Sequence, residues 1–208
     1  MRIAIISDSH DNVPNIEKFI EWANGQTPSS SPLSKGEKVE AVIHCGDICA
    51  PAVVKNLLGP KLRCPVHLIF GNVADRERLA EVVKDFEHVI LHGDRGELEF
   101  EVTKTQKTQK YRKHENTPPV AGQAENTKTQ NKVRIAFVHY PDKAKELART
   151  GKYDLVFYGH NHRPWDEMVG NCRVLNPGTL AGMFQKATFA VYETETGKAE
   201  LILLEKIF

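Results

Sequence analysis

Residues 2–10 read Arg-Ile-Ala-Ile-Ile-Ser-Asp-Ser-His, an unbroken apolar run from Ile3 to Ile6 that leads straight into Asp8 and His10. A run without polar alternation predicts a strand buried on both faces, as in a sheet covered by other layers. The polar residues that follow then fall just past the strand's carboxyl end, the edge where open α/β sheets bind ligands. The same grammar recurs along the chain. Ala-Val-Ile-His-Cys leads into Gly46-Asp47, Val-His-Leu-Ile-Phe into Gly71-Asn72, Arg-Ile-Ala-Phe-Val into His139, and Asp-Leu-Val-Phe-Tyr into Gly159-His160-Asn161-His162. Helical patterns are expected between strands. One begins near Asn12 and Pro14 with Ile16, Phe19 and Ile20 on one face, and others span Ala52–Leu58, Arg76–Asp85 and Asp142–Arg149. Further strands are expected at Val89–His92, Arg173–Leu175, Thr188–Tyr192 and Ala199–Leu204. The alternation predicts an α/β domain that turns mostly to strands after residue 170.

Composition narrows the function classes. The chain has 208 residues, 28 Lys+Arg against 27 Asp+Glu, and a formal net charge of +1, which excludes a histone-like polycation. No apolar run approaches a membrane span and the N-terminal run is too short for a signal peptide, so a cytoplasmic location without membrane partners is expected. Cys45, Cys49, Cys64 and Cys172 form no CxxC pair and read as small thiols in a reducing compartment. Two stretches depart from a single domain over 1–208. Residues 24–38 have the Gly, Pro and Ser content of a polar loop insertion. Residues 104–132 carry 7 Lys+Arg against 2 Glu with few apolar residues, and are expected to be a basic, mobile insertion. Their Thr content leaves a long β-hairpin as the alternative.

Asp8, His10, Asp47, Asn72, His139, His160 and His162 are hard-to-borderline metal ligands. Gathered at one sheet edge, such side chains call for positive charge between them, and a pair of divalent cations supplies it. Each piece alone is weak, since Gly-Asp and Gly-Asn are ordinary turns and a lone His at a strand end is commonly a core residue. The order of all five pieces carries the signal.

That order, DxH, GD, GN, H and GHxH, resembles the calcineurin-like metallophosphoesterase superfamily. The opening MRIAIISDSHDN and the later Asn176-Pro177-Gly178-Thr179 resemble its small bacterial and archaeal phosphodiesterase branch. The resemblance spans 1–103 and 133–208 and implies a four-layer α-β-β-α sandwich of two mixed sheets flanked by helices. It implies a first metal held by Asp8, His10, Asp47 and His162. A second would be held by Asp47, Asn72, His139 and His160, with Asp47 bridging. Mn2+ is the favoured ion, with Ni2+, Fe and Zn2+ admissible. Asp47, Asn72, His139 and His160 would act catalytically through these metals. A metal-bridging hydroxide would attack phosphorus in line in a small phosphate ester, a diester above all. Two departures stand out. Many members carry a His after the Asn, and here Val73 offers no proton. The family's Asp falls two residues after the Asn, whereas Asp75 falls three after. Arg163 could touch substrate phosphate, with a surface arginine as the alternative, and Trp165 could stack a nucleobase, with a packing role as the alternative. His92 reads as structural. A homodimer is in keeping with the branch. A non-catalytic interaction scaffold of the same fold and a nuclease drawn to nucleic acid by the basic insertion are the rival functions.

Overall fold

The computed structural model describes the backbone at residues 1–25, 38–108, 111–112, 120–121 and 125–207, and side chains there outside 103–131. The elements run β1 (Arg2–Ile6), α1 (Val13–Ala23), β2 (Ala41–His44), α2 (Pro51–Val53), a π-helical turn (Val54–Leu58), α3 (Gly59–Lys61), β3 (Val66–Leu68), α4 (Arg76–Val82) and a 3-10 turn (Val83–Asp85). They continue with β4 (Val89–Leu91), β5 (Arg95–Thr108), β6 (Tyr111–Arg112), β7 (Val120–Ala121), β8 (Glu125–Val138), α5 (Pro141–Arg149) and β9 (Leu155–Phe157). The chain ends through β10 (Trp165–Val169), β11 (Cys172–Asn176), β12 (Thr188–Glu193), β13 (Ala199–Leu203) and a 3-10 turn (Leu204–Lys206).

Two mixed sheets result. One has the order β13-β12-β1-β2-β3-β4, with β1 to β4 parallel and β12 antiparallel to β1. The other has the order β10-β11-β9-β8-β5, with β8, β9 and β11 parallel and both edges antiparallel. The period-2 alternation of strand side chains assigns each apolar residue to a layer. Ile3, Ile5, Ile43 and Ile69 pack against Ile135, Phe137, Leu155 and Phe157 between the sheets. Ala4, Ile6, Val42 and Leu68 turn the other way, onto Ile16, Phe19 and Ile20 of α1 and Val54 and Leu58 of the second helical segment. Ala136, Val138 and Val156 meet Ala144 and Ala148 of α5 on the far side. The runs are continuous because both faces of each sheet are covered. Each fully buried Ile or Phe contributes about 1.5–3 kcal/mol.

Local signals set the helix ends. Asn12 Oδ1 accepts from the Asn15 amide at 3.2 Å, and Pro14 stands in the first turn of α1. Asp75, the displaced acidic residue, accepts from the Arg78 amide at 3.3 Å and caps α4.

Two features differ from the sequence expectations. β10, Trp-Asp-Glu-Met-Val, was not expected, because this antiparallel edge strand is mostly exposed and lacks an apolar run. β5 and β8 pair residue for residue from Arg95↔Val138 to Thr108↔Glu125, so the hairpin alternative describes the flanks of the basic insertion. Residues 109–110, 113–119 and 122–124, and 26–37 of the polar loop, lie outside the described residues.

Candidate metal centre

β1, β2, β3, β8 and β9 all end at one edge of the sandwich, and the residues just beyond them converge there. The turns that carry them are tight. Asp8, His10, Asp47, His160 and His162 all take positive φ, between 37° and 75°, a region uncommon for any residue but Gly, although Asp and His enter it more readily than most. Backbone strain on this scale persists only where the surroundings over-determine it, and it clusters at functional sites. Here the surroundings are backbone hydrogen bonds between strand ends. The Asp8 amide donates to the Gly46 carbonyl at 3.0 Å, the His10 amide to the Asp47 carbonyl at 3.1 Å and the Asp47 amide to the Phe70 carbonyl at 3.1 Å. Gly71, at φ 77°, lies so close to Asp47 that a β-carbon there would overlap its carboxylate and amide.

The side chains form two adjoining groups. In the first, His10 Nε2 and His162 Nε2 are 3.0 Å apart, and Asp8 Oδ1 is 3.4 Å from His162 Nε2 and 3.9 Å from His10 Nε2. In the second, Asn72 Oδ1 is 2.9 Å from His139 Nε2 and 3.0 Å from His160 Nδ1. Asp47 Oδ2 reaches both, at 3.8 Å from His10 Nε2 and 3.3 Å from His139 Nε2. The structure thus brings together all seven residues singled out from the sequence. Ligand atoms of Asp8, His10 and His162 lie within 4.8 Å of one another, as do those of Asp8, Asp47 and His139. Oxygen and imidazole donors at this spacing fit divalent cations. Asp8 belongs to both sets, so it stands beside Asp47 as a residue facing the two halves.

The groups that aim these side chains are mostly backbone atoms. His139 donates from Nδ1 to the Cys45 carbonyl at 2.8 Å, which aims Nε2 at Asp47 and Asn72; a cation bound there would take the Nε2 lone pair in place of a proton. His162 Nδ1 donates to the Met183 carbonyl at 3.4 Å, and His10 Nδ1 lies 3.5 Å from Cys49 Sγ. The Asp47 Oδ1 atom accepts from the Asn72 and Val73 amides at 2.8 and 3.2 Å. The Asp8 carboxylate accepts from the His160 amide at 3.0 Å. Asn176 donates to the Gly159 carbonyl at 3.0 Å and to Asn161 Oδ1 at 2.7 Å, bracing the turn that carries both terminal histidines.

Electrostatics follow from this packing. Burial pushes the Asp8 carboxyl above its ordinary value, despite the nearby histidines. Burial acts in the same direction on Asp47, but the hydrogen bond and charge of His139 and the two backbone amides outweigh it and hold Asp47 at about 2. Burial depresses His139, and the Asp47 carboxylate and the Cys45 carbonyl more than offset that, leaving it raised. His44 lies wholly buried behind the site, held neutral at about 3 by desolvation, and shares a 3.0 Å contact with Ser9 Oγ.

Of the less certain sequence candidates, none joins the cluster. Arg163 lies with its guanidinium 5.8 Å from the Trp165 ring centre, and His92 pairs with His67 at 3.0 Å. Val73 contributes its amide, while its side chain is 41% exposed and carries no proton. A cavity of about 510 Å³ opens beside the second group, lined by Gly71, His139, Tyr140, Arg76, Arg95 and Lys143 among others. Tyr140 packs edge-on against both His139 and His160.

Comparison with known proteins bears on the family and the fold. Residues 1–197 match the calcineurin-like phosphoesterase superfamily domain. Phosphodiesterase MJ0936 of Methanocaldococcus jannaschii is 28% identical over 207 residues, covering 99% of this chain and 100% of that protein. The structure of an archaeal phosphodiesterase superposes with a TM-score of 0.67 at 27% identity, over 98% of this chain and 99% of that one. The phosphoesterase YfcE of E. coli shares the fold, with a TM-score of 0.53 at 14% identity over 98% and 100% of the two chains. With five strand ends supplying the donor set and the family domain spanning nearly the whole chain, the protein belongs to the calcineurin-like phosphoesterase superfamily.

Proposed function

We propose that this chain is a dinuclear metal-dependent phosphodiesterase acting on a small phosphate ester. The observation that carries the reading is the pair of adjoining donor groups with Asp47 Oδ2 between them, 3.8 Å from His10 Nε2 and 3.3 Å from His139 Nε2. Asp8, His10, Asp47 and His162 would hold one cation, and Asp47, Asn72, His139 and His160 the other. When bound, such a pair supplies Lewis acidity toward phosphate oxygens and lowers the pKa of water, so that hydroxide is available near neutral pH for in-line attack on phosphorus. Mn2+ is the favoured ion, with Ni2+, Fe and Zn2+ admissible, since a mixed set of imidazole and oxygen donors does not decide among them.

The protein's own residues do the positioning. The Cys45 carbonyl fixes the His139 tautomer, and the Asn72 and Val73 amides turn the Asp47 carboxylate so that Oδ2 faces the site. The cavity beside His139 and Tyr140 offers room for one ester substituent, with Arg76, Arg95 and Lys143 on its walls. Val73 cannot protonate a leaving oxygen, so esters with acidic leaving groups are favoured over alkyl monoesters. Rates of bis(p-nitrophenyl) phosphate and an alkyl monoester, each with Mn2+ and with chelator, test this. Faster diester hydrolysis that chelator abolishes is expected; faster alkyl monoester hydrolysis, or activity indifferent to chelator, contradicts it. The homodimer and the cytoplasmic location stay with this proposal as expectations. Among the described residues, no helix is long and apolar enough to cross a membrane.

A further inference from the structure

The loop between β11 and β12 presents Phe184, which at 92% exposed is the most exposed large apolar side chain among the described residues. Its φ of 62° lies in the left-handed region, which disfavours bulky residues. Nothing in its packing offsets that cost by burial. The loop is nevertheless tied to the metal edge. The carbonyl of its neighbour Met183 accepts from His162 Nδ1 at 3.4 Å. The Phe184 ring itself stacks beside the His162 ring, with centres 6.4 Å apart and planes 29° from parallel. One ring face is therefore held at the border of the first donor group and open to solvent. The cavity beside His139 differs in chemistry: Val138, Tyr140 and Leu147 line it together with the ion pairs Arg76–Asp94 and Lys143–Glu146.

We propose that Phe184 is a stacking platform for a flat aromatic substituent, an aryl group or nucleobase, of the phosphodiester whose phosphate sits at the metal edge. The proposal rests on the phosphodiesterase reading above and sharpens its substrate class to an unsymmetrical diester. One substituent meets an open aromatic face and the other the cavity beside His139, walled by apolar side chains and ion pairs. A ring face stacks on any planar π-system without reading its edges, so the platform selects aromatic over alkyl substituents rather than one base over another.

The test is calorimetric binding of phenylphosphonate and methylphosphonate to the Mn2+-loaded protein, which needs no turnover. Phe184→Ala and Phe184→Leu should each weaken phenylphosphonate about ten-fold, the scale of one stacking contact, and leave methylphosphonate and metal content unchanged. Phe184→Trp should restore phenylphosphonate binding. Equal weakening of both ligands, or no weakening of either, overturns the proposal. So does an altered assembly state in Phe184→Ala with phenylphosphonate binding intact, which would mark a self-association face. A wild-type protein that prefers phenylphosphonate in this Phe184-dependent way yet hydrolyses no ester would sink the phosphodiesterase reading and leave the platform standing.

Discussion

Substituting Asp47 separates what its two carboxylate oxygens do. Oδ1 accepts from the Asn72 and Val73 amides at 2.8 and 3.2 Å, and Oδ2 faces His10 and His139. A hydrogen bond to a charged group contributes about 1.5–3 kcal/mol. Asp47→Ala removes both and leaves two amides without an acceptor, so it should destabilise the metal-free protein by about 3 kcal/mol or more. Asp47→Asn keeps an acceptor at the Oδ1 position and should cost only about 1 kcal/mol. Both variants lose the negative charge between the donor groups. Their activity should fall by more than the roughly 10–100-fold typical of losing a group that merely orients a ligand. Urea unfolding in chelator measures the stabilities, elemental analysis the bound metal, and bis(p-nitrophenyl) phosphate hydrolysis the activity. Asp47→Asn that binds two ions per chain and hydrolyses at the wild-type rate would refute the reasoning. Equal destabilisation by Ala and Asn would refute the division of labour between the oxygens.

Three other perturbations probe separate parts of the account. Asn176→Ala and Asn176→Asp both remove the donor to the Gly159 carbonyl and to Asn161 Oδ1, and metal titrations should show affinity falling about 10–100-fold. An unchanged affinity would mean that the turn holds its shape without this brace. His44 is fully buried and held at about 3, against an ordinary 6.5, so the folded state stays neutral while the unfolded chain takes up a proton. Its contribution is complete above pH 6.5 and is lost as pH falls toward 3, by up to about 5 kcal/mol. His44→Gln should therefore flatten the acid limb of stability in chelator, and parallel limbs in variant and wild type would contradict this. Replacing residues 109–124 by a two-residue turn joins Thr108 to Glu125, which already pair. Small-diester hydrolysis should be unchanged; a loss would place part of the basic insertion in the active machinery.

The convergence of the seven candidate residues was legible in the sequence because each follows an apolar run, and parallel strands in a covered sheet deliver their carboxyl ends to one place. The layers were legible for the same reason, since Ile3 and Ile5 need one covering layer and Ala4 and Ile6 another. What orients the ligands was not legible. The Cys45 and Met183 carbonyls that receive His139 and His162 are backbone atoms, and any residue supplies one. β10 carries no sequence signal, because an exposed edge strand needs no apolar run. Phe184 gave no signal either, since a single Phe in a loop cannot be told from a core residue until its burial is known. Asp75 is the instructive shift. One position away from the family's usual place, it caps α4 and stays out of the donor cluster.

The central claim is that two cations, shared through Asp47, carry the reaction. The most direct measurement is Mn2+ titration of chelator-stripped protein, with bound metal and bis(p-nitrophenyl) phosphate hydrolysis followed on the same samples. The account predicts two ions per chain, with activity that rises as the second binds and is absent from the stripped protein. Full activity with one ion or none, or two ions bound with no ester hydrolysed, would contradict it.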